Sequence, residues 1–269
     1  MAGKLFMISA IVILFTVGVI SFSVYWLAEK SIATEVQKRV YCVQSERESR
    51  LNLWFDELYK SHSYLISNLE INLNANSGIT ISSKNSRQIS EQLRNYKESY
   101  GSIVFCALTS VDGSVLAQSD SMLNNNNLSG LVVTQKALHE GYAIGPIHIN
   151  SHDETVFNIG ITIVRDNVKP AIFICQMYSK NTIEPILLDT TGLGRSGESF
   201  LIGTDTLMLT PSRFYSHPEP LTHKMPIPTA LMALQGKRGV EVYQGFLGKE
   251  VVGAYSLIER TGWVLITEM

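Results

Sequence analysis

The stretch IVFCALTSVDGSVLAQ, residues 103–118, contains two apolar runs on either side of a short polar turn. The turn includes Asp112 and Gly113, a pair that favours a tight reversal because Gly accepts the positive φ that such a turn requires. Residues 103–108 and 115–118 are therefore predicted to be the strands of an antiparallel hairpin. The apolar segments that follow this hairpin also have the pattern of strands.

Three more strands are predicted at residues 142–149, 155–165 and 171–178, and polar turns at 151–154 and 166–169 join them. Helices and loops are predicted around these strands: a polar loop at 72–85, a helix at 86–100, an asparagine loop at 124–127 and a helix at 129–139. Together these segments predict a five-stranded antiparallel sheet with helices on one side.

A shorter set of the same elements follows. Its predicted helices and strands are helices 181–188 and 230–234 and strands 199–202, 207–209, 240–243, 250–257 and 263–267. A loop rich in proline interrupts the set, with prolines at Pro211, Pro218, Pro220, Pro226 and Pro228. The chain is therefore predicted to carry two sheets in tandem.

Residues 5–27, LFMISAIVILFTVGVISFSVYWL, contain no charged side chain. As a helix this run is about 35 Å long, which is enough to cross a hydrocarbon core of about 30 Å. A cleaved signal peptide is the alternative, but its apolar region is shorter and ends in small residues, whereas Tyr25 and Trp26 are bulky. The run is therefore predicted to be an uncleaved membrane anchor. Lys4 before the run favours a cytoplasmic N-terminus, with the rest of the chain outside the cytoplasm.

Residues 29–75 are predicted to form a long amphipathic helix, because apolar residues recur at helical spacing. The apolar stripe consists of Ile32, Val36, Val40, Val43, Leu51, Trp54, Leu58, Leu65 and Leu69. Arg47 and His62 are interpreted as polar interruptions of the stripe. It is expected to pack either on the chain's own sheets or on a second copy of the helix, which would give a homodimer.

Composition excludes several classes of protein. The 22 Lys and Arg against 24 Asp and Glu leave a net charge of −2, so no basic excess indicates nucleic-acid binding. Charged residues make up only 17% of the 269 residues and mean hydropathy is +0.10, which agrees with an apolar anchor. Three cysteines are too few for a disulfide scaffold, and their spacing fits no zinc motif.

Residues 192–197, GLGRSG, satisfy the G-x-G-x-x-G pattern of dinucleotide-binding turns. That chemistry needs a strand before the glycines and a helix after them, to hold a pyrophosphate at the helix N-terminus. Here the predicted order is the reverse, so the segment is interpreted as a tight turn between helix and sheet. No cofactor is predicted.

The histidines also fail to predict catalysis. His148 and His152 lie on either side of a turn with Asp153 and Glu154, where a metal site is conceivable, but a solvated hairpin tip is the favoured interpretation. No Ser–His–Asp or Cys–His set can be assembled from the spacing. The sequence therefore predicts neither a catalytic nor a metal site, and the chain is not expected to be an enzyme.

Cys106 and Cys175 lie in the middle of two strands that are predicted to be neighbours. A cross-strand disulfide is conceivable outside the cytoplasm, but two buried thiols are the favoured interpretation because adjacent strands seldom give good disulfide geometry. Cys42, on the long helix, could link two protomers if the helices pair.

Several motifs resemble those of the double Cache sensor region of bacterial transmembrane receptors, a family that includes histidine kinases, diguanylate cyclases and chemoreceptors. The motifs are TGLGRSGESFLIG at 191–203, LMLTPSRF at 207–214, GWVL at 262–265, VDG at 111–113, AQSD at 117–120 and GPI at 145–147. The resemblance covers residues 28–269. It implies an α+β fold in which a transmembrane helix (1–28) continues into a long helix (29–75). Two tandem PAS-like antiparallel modules follow, one membrane-distal (76–180) and one membrane-proximal (181–269).

The resemblance also implies a function. Such regions are sensors outside the bacterial inner membrane that bind a small molecule in the distal module and signal to a cytoplasmic output domain. No second apolar run precedes Met269, so we expect the output domain to be missing from this chain. Two alternatives remain open: an anchored interaction module that serves a separate signalling partner without a ligand of its own, and an anchored hydrolase, for which no nucleophile–base set is present.

Candidate ligand-binding residues are polar side chains that alternate with apolar ones on the distal strands. Asn158 and Thr162 share one face, with Gly160 between them leaving room. Four residues on the neighbouring strands are expected to converge with them: Tyr142, His148, Gln176 and Tyr178. The alternative is that these residues only cap a packed core.

The family's amino-acid-binding members carry Arg and aromatic residues on the helix before the third strand. The corresponding residues 131–138, LVVTQKAL, contain neither, so the resemblance leaves the ligand class open. Lys136 is the one cation in this segment and is a candidate contact for an acidic ligand.

Overall fold

A computed structural model describes residues 2–69, 83–120, 127–165, 168–214 and 221–269. One continuous helix, α1 (Ala2–Asn68), contains both the predicted anchor and most of the predicted long helix. The predicted long helix 29–75 coincides with α1 as far as Asn68, and residues 70–75 lie outside the described part of the chain.

The first sheet lies in the segment predicted to be the distal module, and we call it the distal sheet. It is built from strands on both sides of a short helix. In chain order its elements are α2 (Ser83–Ser99), β1 (Ile103–Thr109), β2 (Val115–Gln118), α3 (Val132–Glu140), β3 (Tyr142–Ile144), β4 (His148–Ile149), β5 (Thr155–Arg165) and β6 (Val168–Tyr178). The strand order is β2-β1-β6-β5-β3, with β4 also pairing β5, and every pair is antiparallel. The predicted loop segments 72–82, 124–126 and 166–167 lie outside the described residues.

The predicted hairpin is confirmed, because β1 and β2 pair in antiparallel fashion. Gly113 has a φ of +85°, and a Cβ there would collide with the backbone of Ser129, so both conformation and space require glycine. The single strand predicted over 142–149 is wrong, because the chain leaves the ladder at residues 145–147. Pro146 has no N–H to donate to a neighbouring strand, which divides the segment into β3 and β4.

The second sheet contains four strands. Its elements are α4 (Glu184–Leu188), β7 (Glu198–Ile202), α5 (Pro228–Leu234), β8 (Gly239–Gln244), β9 (Glu250–Ile258) and β10 (Trp263–Glu268), in the strand order β7-β10-β9-β8. The strand predicted at 207–209 is not part of it, since Leu207 and Met208 form only isolated bridges to Lys224 and Ile202. The architecture of a long helix and two antiparallel sheets agrees with the predicted α+β fold.

The C-terminal half of the α1 stripe packs on the chain's own sheets. Phe55 on α1 contacts Trp263 of the second sheet, with 6.0 Å between ring centroids, and Trp263 lies at the same distance from Phe157 of the first sheet. These residues belong to one buried cluster that includes side chains of α1 and both sheets. Ile32, nearer the anchor, is exposed instead.

Arg47 and His62, the predicted polar interruptions of the stripe, are both fully buried. Arg47 donates to Asp189, through Nη1 to Oδ2 at 3.1 Å and through Nη2 to the carbonyl oxygen at 2.8 Å. His62 packs between the rings of Tyr96 and Phe173. Burial of Arg47 is possible because its charge is paired and hydrogen-bonded.

Candidate functional site

The two faces of the distal sheet have different coverings. The face that carries Phe157 and Phe173 packs on α1, and the opposite face carries α3. A Cβ at Gly160 would lie 2.8 Å from the carbonyl oxygen of Val133 and 3.1 Å from the Cβ of Ala137. The room predicted at Gly160 is therefore taken by α3, not left for a ligand.

A row of three hydrogen-bonded polar side chains lies on the α3 face. Asn158 and Gln176 are directly opposite each other on β5 and β6, and Gln176 Nε2 donates to Asn158 Oδ1 at 3.1 Å. His148 Nε2 lies 3.5 Å from the same Gln176 nitrogen, while its Nδ1 lies 3.2 Å from the carbonyl oxygen of Pro146. If Nδ1 of His148 carries the proton, it donates to the Pro146 carbonyl oxygen, and the unprotonated Nε2 accepts from Gln176. We call Asn158, Gln176 and His148 the polar row.

The other predicted site residues lie apart from the polar row. Tyr142 faces α1 on the opposite side of the sheet, where its ring contacts Tyr59 at 5.0 Å between centroids. Thr162 is buried and donates to the carbonyl oxygen of Ala137 at 2.6 Å, which fixes the end of α3 to the sheet. Thr162 shares the Asn158 face of β5, as predicted, whereas Tyr142 lies on the opposite face and does not converge with Asn158.

Lys136 also lies outside the polar row. Its ammonium is 3.9 Å from a carboxylate oxygen of Glu140, one turn further along α3, and its side chain is partly exposed. An i,i+4 ion pair of this kind is typical of a solvated helix surface.

Tyr178 lies next to the polar row on the sheet and also lines a cleft of about 580 Å³. It occupies the next pair of ladder positions beyond Asn158 and Gln176 on the same face, opposite Val156. The cleft lies where the distal module meets the second one, and its lining residues are Asp153, Glu154, Thr155, Tyr178, Lys180, Asn181, Glu184 and Pro211. We call this the intermodule cleft.

The intermodule cleft is dominated by acidic groups. Burial raises the pKa of Glu184, while a hydrogen bond from Thr155 at 3.4 Å and the charge of Lys180 oppose that shift. Burial also raises the pKa of Tyr178, and the nearby carboxylate of Glu154 adds to the shift. A cleft with three carboxylates and one ammonium suits a small polar ligand that itself carries positive charge.

No role for Glu184 was predicted. The one signal that could have identified it is a carboxylate within the otherwise apolar run 183–187, because acidic side chains are seldom buried without a hydrogen-bond or ionic partner. Its position in the cleft depends on a turn between the modules that no local pattern indicates.

The predicted turn with His148 and His152 separates the two imidazoles. His152 is exposed, and His148 belongs to the polar row. Among the described residues, no group of three His, Cys, Asp or Glu side chains is arranged to hold a metal ion. His217, in the proline-rich loop, lies outside the described residues.

The structure supports the interpretation of Cys106 and Cys175 as two buried thiols. They are directly opposite each other on β1 and β6, with 3.5 Å between the sulfur atoms, and both are fully buried. Burial and the neighbouring Cys106 raise the pKa of the Cys175 thiol. Cys42 is also a free thiol, and it is exposed on α1.

Neither a protein-family model nor a curated protein matches this sequence. Solved structures do match. The ligand-binding domain of the Campylobacter jejuni chemoreceptor Tlp3 in complex with L-valine is similar over 89% of this chain and 94% of that domain, with a TM-score of 0.64 and 15% identity. This chain has the fold of a chemoreceptor sensory domain.

Two other sensory domains share the fold. The ligand-binding domain of the Pseudomonas aeruginosa PAO1 amino-acid chemoreceptor PctC, in complex with GABA, is 13% identical, with a TM-score of 0.63 over 87% of this chain and 99% of that domain. The periplasmic sensory domain of C. jejuni Tlp1 is 15% identical, with a TM-score of 0.62 over 88% of this chain and 95% of that domain. Both matches cover most of this chain, and the resemblance to a double Cache region is confirmed at the level of fold.

Proposed function

We propose that this chain is an extracytoplasmic sensor domain that binds a small molecule in the intermodule cleft and passes the signal to the membrane through α1. The observation that carries the proposal is the cleft itself, which contains charged side chains of both signs and is lined by Tyr178, the neighbour of the polar row on the sheet. The chemoreceptor fold supports a sensory role. None of the three sensory domains compared above is a catalytic domain, which supports a sensor without enzymatic activity of its own.

The charges of the cleft favour a zwitterionic amino compound. L-valine and GABA, the ligands of the Tlp3 and PctC domains, each carry an ammonium and a carboxylate group. In this chain the ammonium would lie against Glu154 and Glu184, and the carboxylate against Lys180. Tyr178 and the polar row would supply further hydrogen bonds at the distal end of the cleft, and Asn158, Gln176, His148 and Tyr178 therefore remain candidate ligand-binding residues.

Signalling requires that the ligand bind two conformations of the chain with unequal affinity. Glu184 lies on α4, and Asp189, which follows α4, is bonded to Arg47 on α1. Closure of the cleft around a ligand would therefore move α4 and, through this ion pair, α1. We propose that the signal reaches a cytoplasmic output domain that lies outside these 269 residues.

We propose that α1 anchors the chain in the bacterial inner membrane. Within the described chain, α1 is the one helix long and apolar enough to cross a membrane, and none of its apolar window is buried inside the protein. The apolar side chains of Ile13, Phe15, Phe22 and Trp26 are exposed, as a lipid-facing segment requires.

A homodimer through α1 is the proposed assembly. Cys42, Leu53 and Tyr64 are exposed on the described helix at intervals of eleven residues, which is close to three helical turns, so they lie on one face. Leu53 and Tyr64 are 62% and 75% exposed, which is unfavourable for apolar side chains unless a partner covers them.

Thermal unfolding of the full chain in nanodiscs tests ligand binding. We expect L-valine, GABA or another zwitterionic amino acid at millimolar concentration to raise Tm, because a ligand that binds only the folded state stabilises it. The shift should be reduced in Lys180→Gln, Glu184→Gln and Asn158→Leu and retained in Lys136→Gln, whose ammonium lies outside the cleft. An unchanged shift in all three variants would place the ligand elsewhere.

The second candidate function, an anchored interaction module without a ligand, is favoured by one observation. Within the polar row, Gln176 Nε2 already donates to Asn158 Oδ1 and lies 3.5 Å from His148 Nε2. If no zwitterion, carboxylate or amine changes Tm, this alternative replaces the sensor, and the search turns to a signalling partner.

A further inference from the structure

Two glutamates face each other inside the second sheet. Glu198 on β7 and Glu268 on β10 are directly opposite in the antiparallel ladder, so their side chains lie on the same face. They are only 2% and 5% exposed. This face carries α5 and is the one turned away from α1.

Neutral donors hold the two carboxyl groups. Glu198 Oε2 accepts from Ser212 Oγ at 2.7 Å and from the backbone N–H of Arg213 at 2.8 Å, and the hydroxyl of Tyr243 on β8 donates to Glu268 Oε1. The guanidinium of Arg213 donates to the carbonyl oxygen of Gly197 instead. Among the described side chains, none forms an ion pair with either carboxyl group.

A cavity of about 450 Å³ adjoins the pair. The other charged side chains that line it are those of Lys249 and Glu250. Lys249 and Glu250 are exposed at the rim, where water screens their charges. The cavity gives water, and therefore protons, a route to the two buried groups.

We propose that Glu198 and Glu268 form a proton-binding site. The two carboxyl groups together hold one proton, and release of this proton leaves two negative charges on facing positions of β7 and β10. Burial raises the pKa of Glu268 to about 7, and the charge of Glu198 adds to that shift, although the Tyr243 hydrogen bond opposes it. Burial also raises the pKa of Glu198, which Ser212 and Arg213 oppose. The pair therefore changes charge in the physiological range.

The opposite face of the same two strands is turned toward α1. Ser199 and Thr267, the neighbours of the two glutamates, lie 2.9 Å apart between their hydroxyl oxygens. Thr267 donates to Gln44 Oε1 on α1 at 2.6 Å, and Gln44 Nε2 donates to the carbonyl oxygen of Leu265 on β10 at 2.8 Å. Repulsion between the carboxylates would separate β7 from β10 and disturb the contact with Gln44. A change of pH would thus alter the contact between the second sheet and α1 even when no ligand occupies the intermodule cleft.

Cys42 is a natural probe of this contact, because it is exposed on α1 two residues before Gln44, whereas Cys106 and Cys175 are buried. The full chain in nanodiscs is labelled at Cys42 with an environment-sensitive fluorophore and titrated from pH 5 to pH 9 with no amino acid present. We expect a change in emission with a midpoint near pH 7. Glu268→Gln, which mimics the protonated group, should abolish it.

Glu250→Gln is the matched control, since Glu250 lines the same cavity but is exposed, and it should keep the transition. Thermal unfolding gives a second measurement if the fluorophore perturbs α1. An acid with a raised folded pKa makes the folded state less stable as pH rises from about 4.3, the unfolded value, toward 7. The Tm difference between Glu268→Gln and the unmodified chain should therefore grow by about 5 °C between pH 5 and pH 8.

A transition that persists in Glu268→Gln, or a Tm difference that does not change with pH, would overturn the proposal. Neither outcome bears on the sensor function, because both measurements are made without a ligand for the cleft.

Discussion

His62 lies in the core beneath α1, and neither of its ring nitrogens has a hydrogen-bond partner among the described residues. Burial lowers its pKa from 6.5 to about 3, so the folded chain holds it neutral while the unfolded chain binds a proton below pH 6.5. The folded state therefore loses stability as pH falls from 6.5 toward 3.

The loss at pH 5 is expected to be about 2 kcal/mol, since each pH unit below the unfolded pKa corresponds to about 1.4 kcal/mol. Urea unfolding of the unmodified chain and of His62→Phe, at pH 7.5 and pH 5, measures it. The Phe variant keeps an aromatic ring between Tyr96 and Phe173 but cannot bind a proton. Equal pH dependence in both proteins would contradict this account of His62.

The sequence placed Asn158 and Gln176 side by side for a simple reason. Alternate residues of a strand share a face, so Asn158 on one strand and Gln176 on its neighbour could be placed together from their positions alone. Tyr142 and His148 would also share a face if their strand were continuous. The break at Gly145 and Pro146 reverses the alternation, and Tyr142 then pairs with Ile161 on the α1 face while His148 pairs with Val156 on the α3 face.

At the scale of helices and strands, the contact between Arg47 and Asp189 joins α1 to the segment between the modules. Hydrogen bonds from Thr191, together with those from Arg50 and Arg47, lower the pKa of Asp189. Arg47 is fully buried, whereas Arg50, which contacts the same carboxylate at 3.0 Å, is partly exposed.

Asp189→Ala should therefore destabilise the chain by about 2 kcal/mol, because it leaves part of the Arg47 guanidinium buried without an acceptor. Arg50→Met removes the exposed partner and should cost less than about 1 kcal/mol. Urea unfolding at pH 7.5 compares the two variants. Equal losses of unfolding free energy in the two variants would show that burial does not strengthen the contribution of Arg47 to stability.

The exposed face of α1 gives a second prediction for this element. Mild oxidation of the full chain in membranes should link two protomers through Cys42, because the proposed dimer brings the same face of two helices together. In a Cys42→Ser background, Leu53→Cys should also cross-link, since it lies three turns further along the same face. Gln37→Cys, on a different face of the helix, is the control and should remain monomeric on a non-reducing gel.

For the molecule as a whole, the packing between modules could not be read from the sequence. The elements of each sheet follow from local patterns, but the cluster that joins them places Phe55, Phe157 and Trp263 together from segments that are about a hundred residues apart. From its neighbours in the sequence, each of these residues is predicted to be only an ordinary core side chain. Their common location depends on how α1 crosses both sheets, which no short-range periodicity encodes.

This shared core predicts that the two modules unfold together. Trp263 is 3% exposed and contacts α1 and the distal sheet at once, so Trp263→Ala should destabilise the chain by about 3–5 kcal/mol. Two measurements test this in the unmodified chain. Tryptophan fluorescence reports the shared core, through Trp54 and Trp263, and hydrogen exchange reports β5 and β9. Both should give the same urea midpoint. In Trp263→Ala both midpoints should fall by the same amount. A variant in which β9 exchanges at lower urea than β5 would show that the modules are separately stable, and that a signal between them travels through α1 alone.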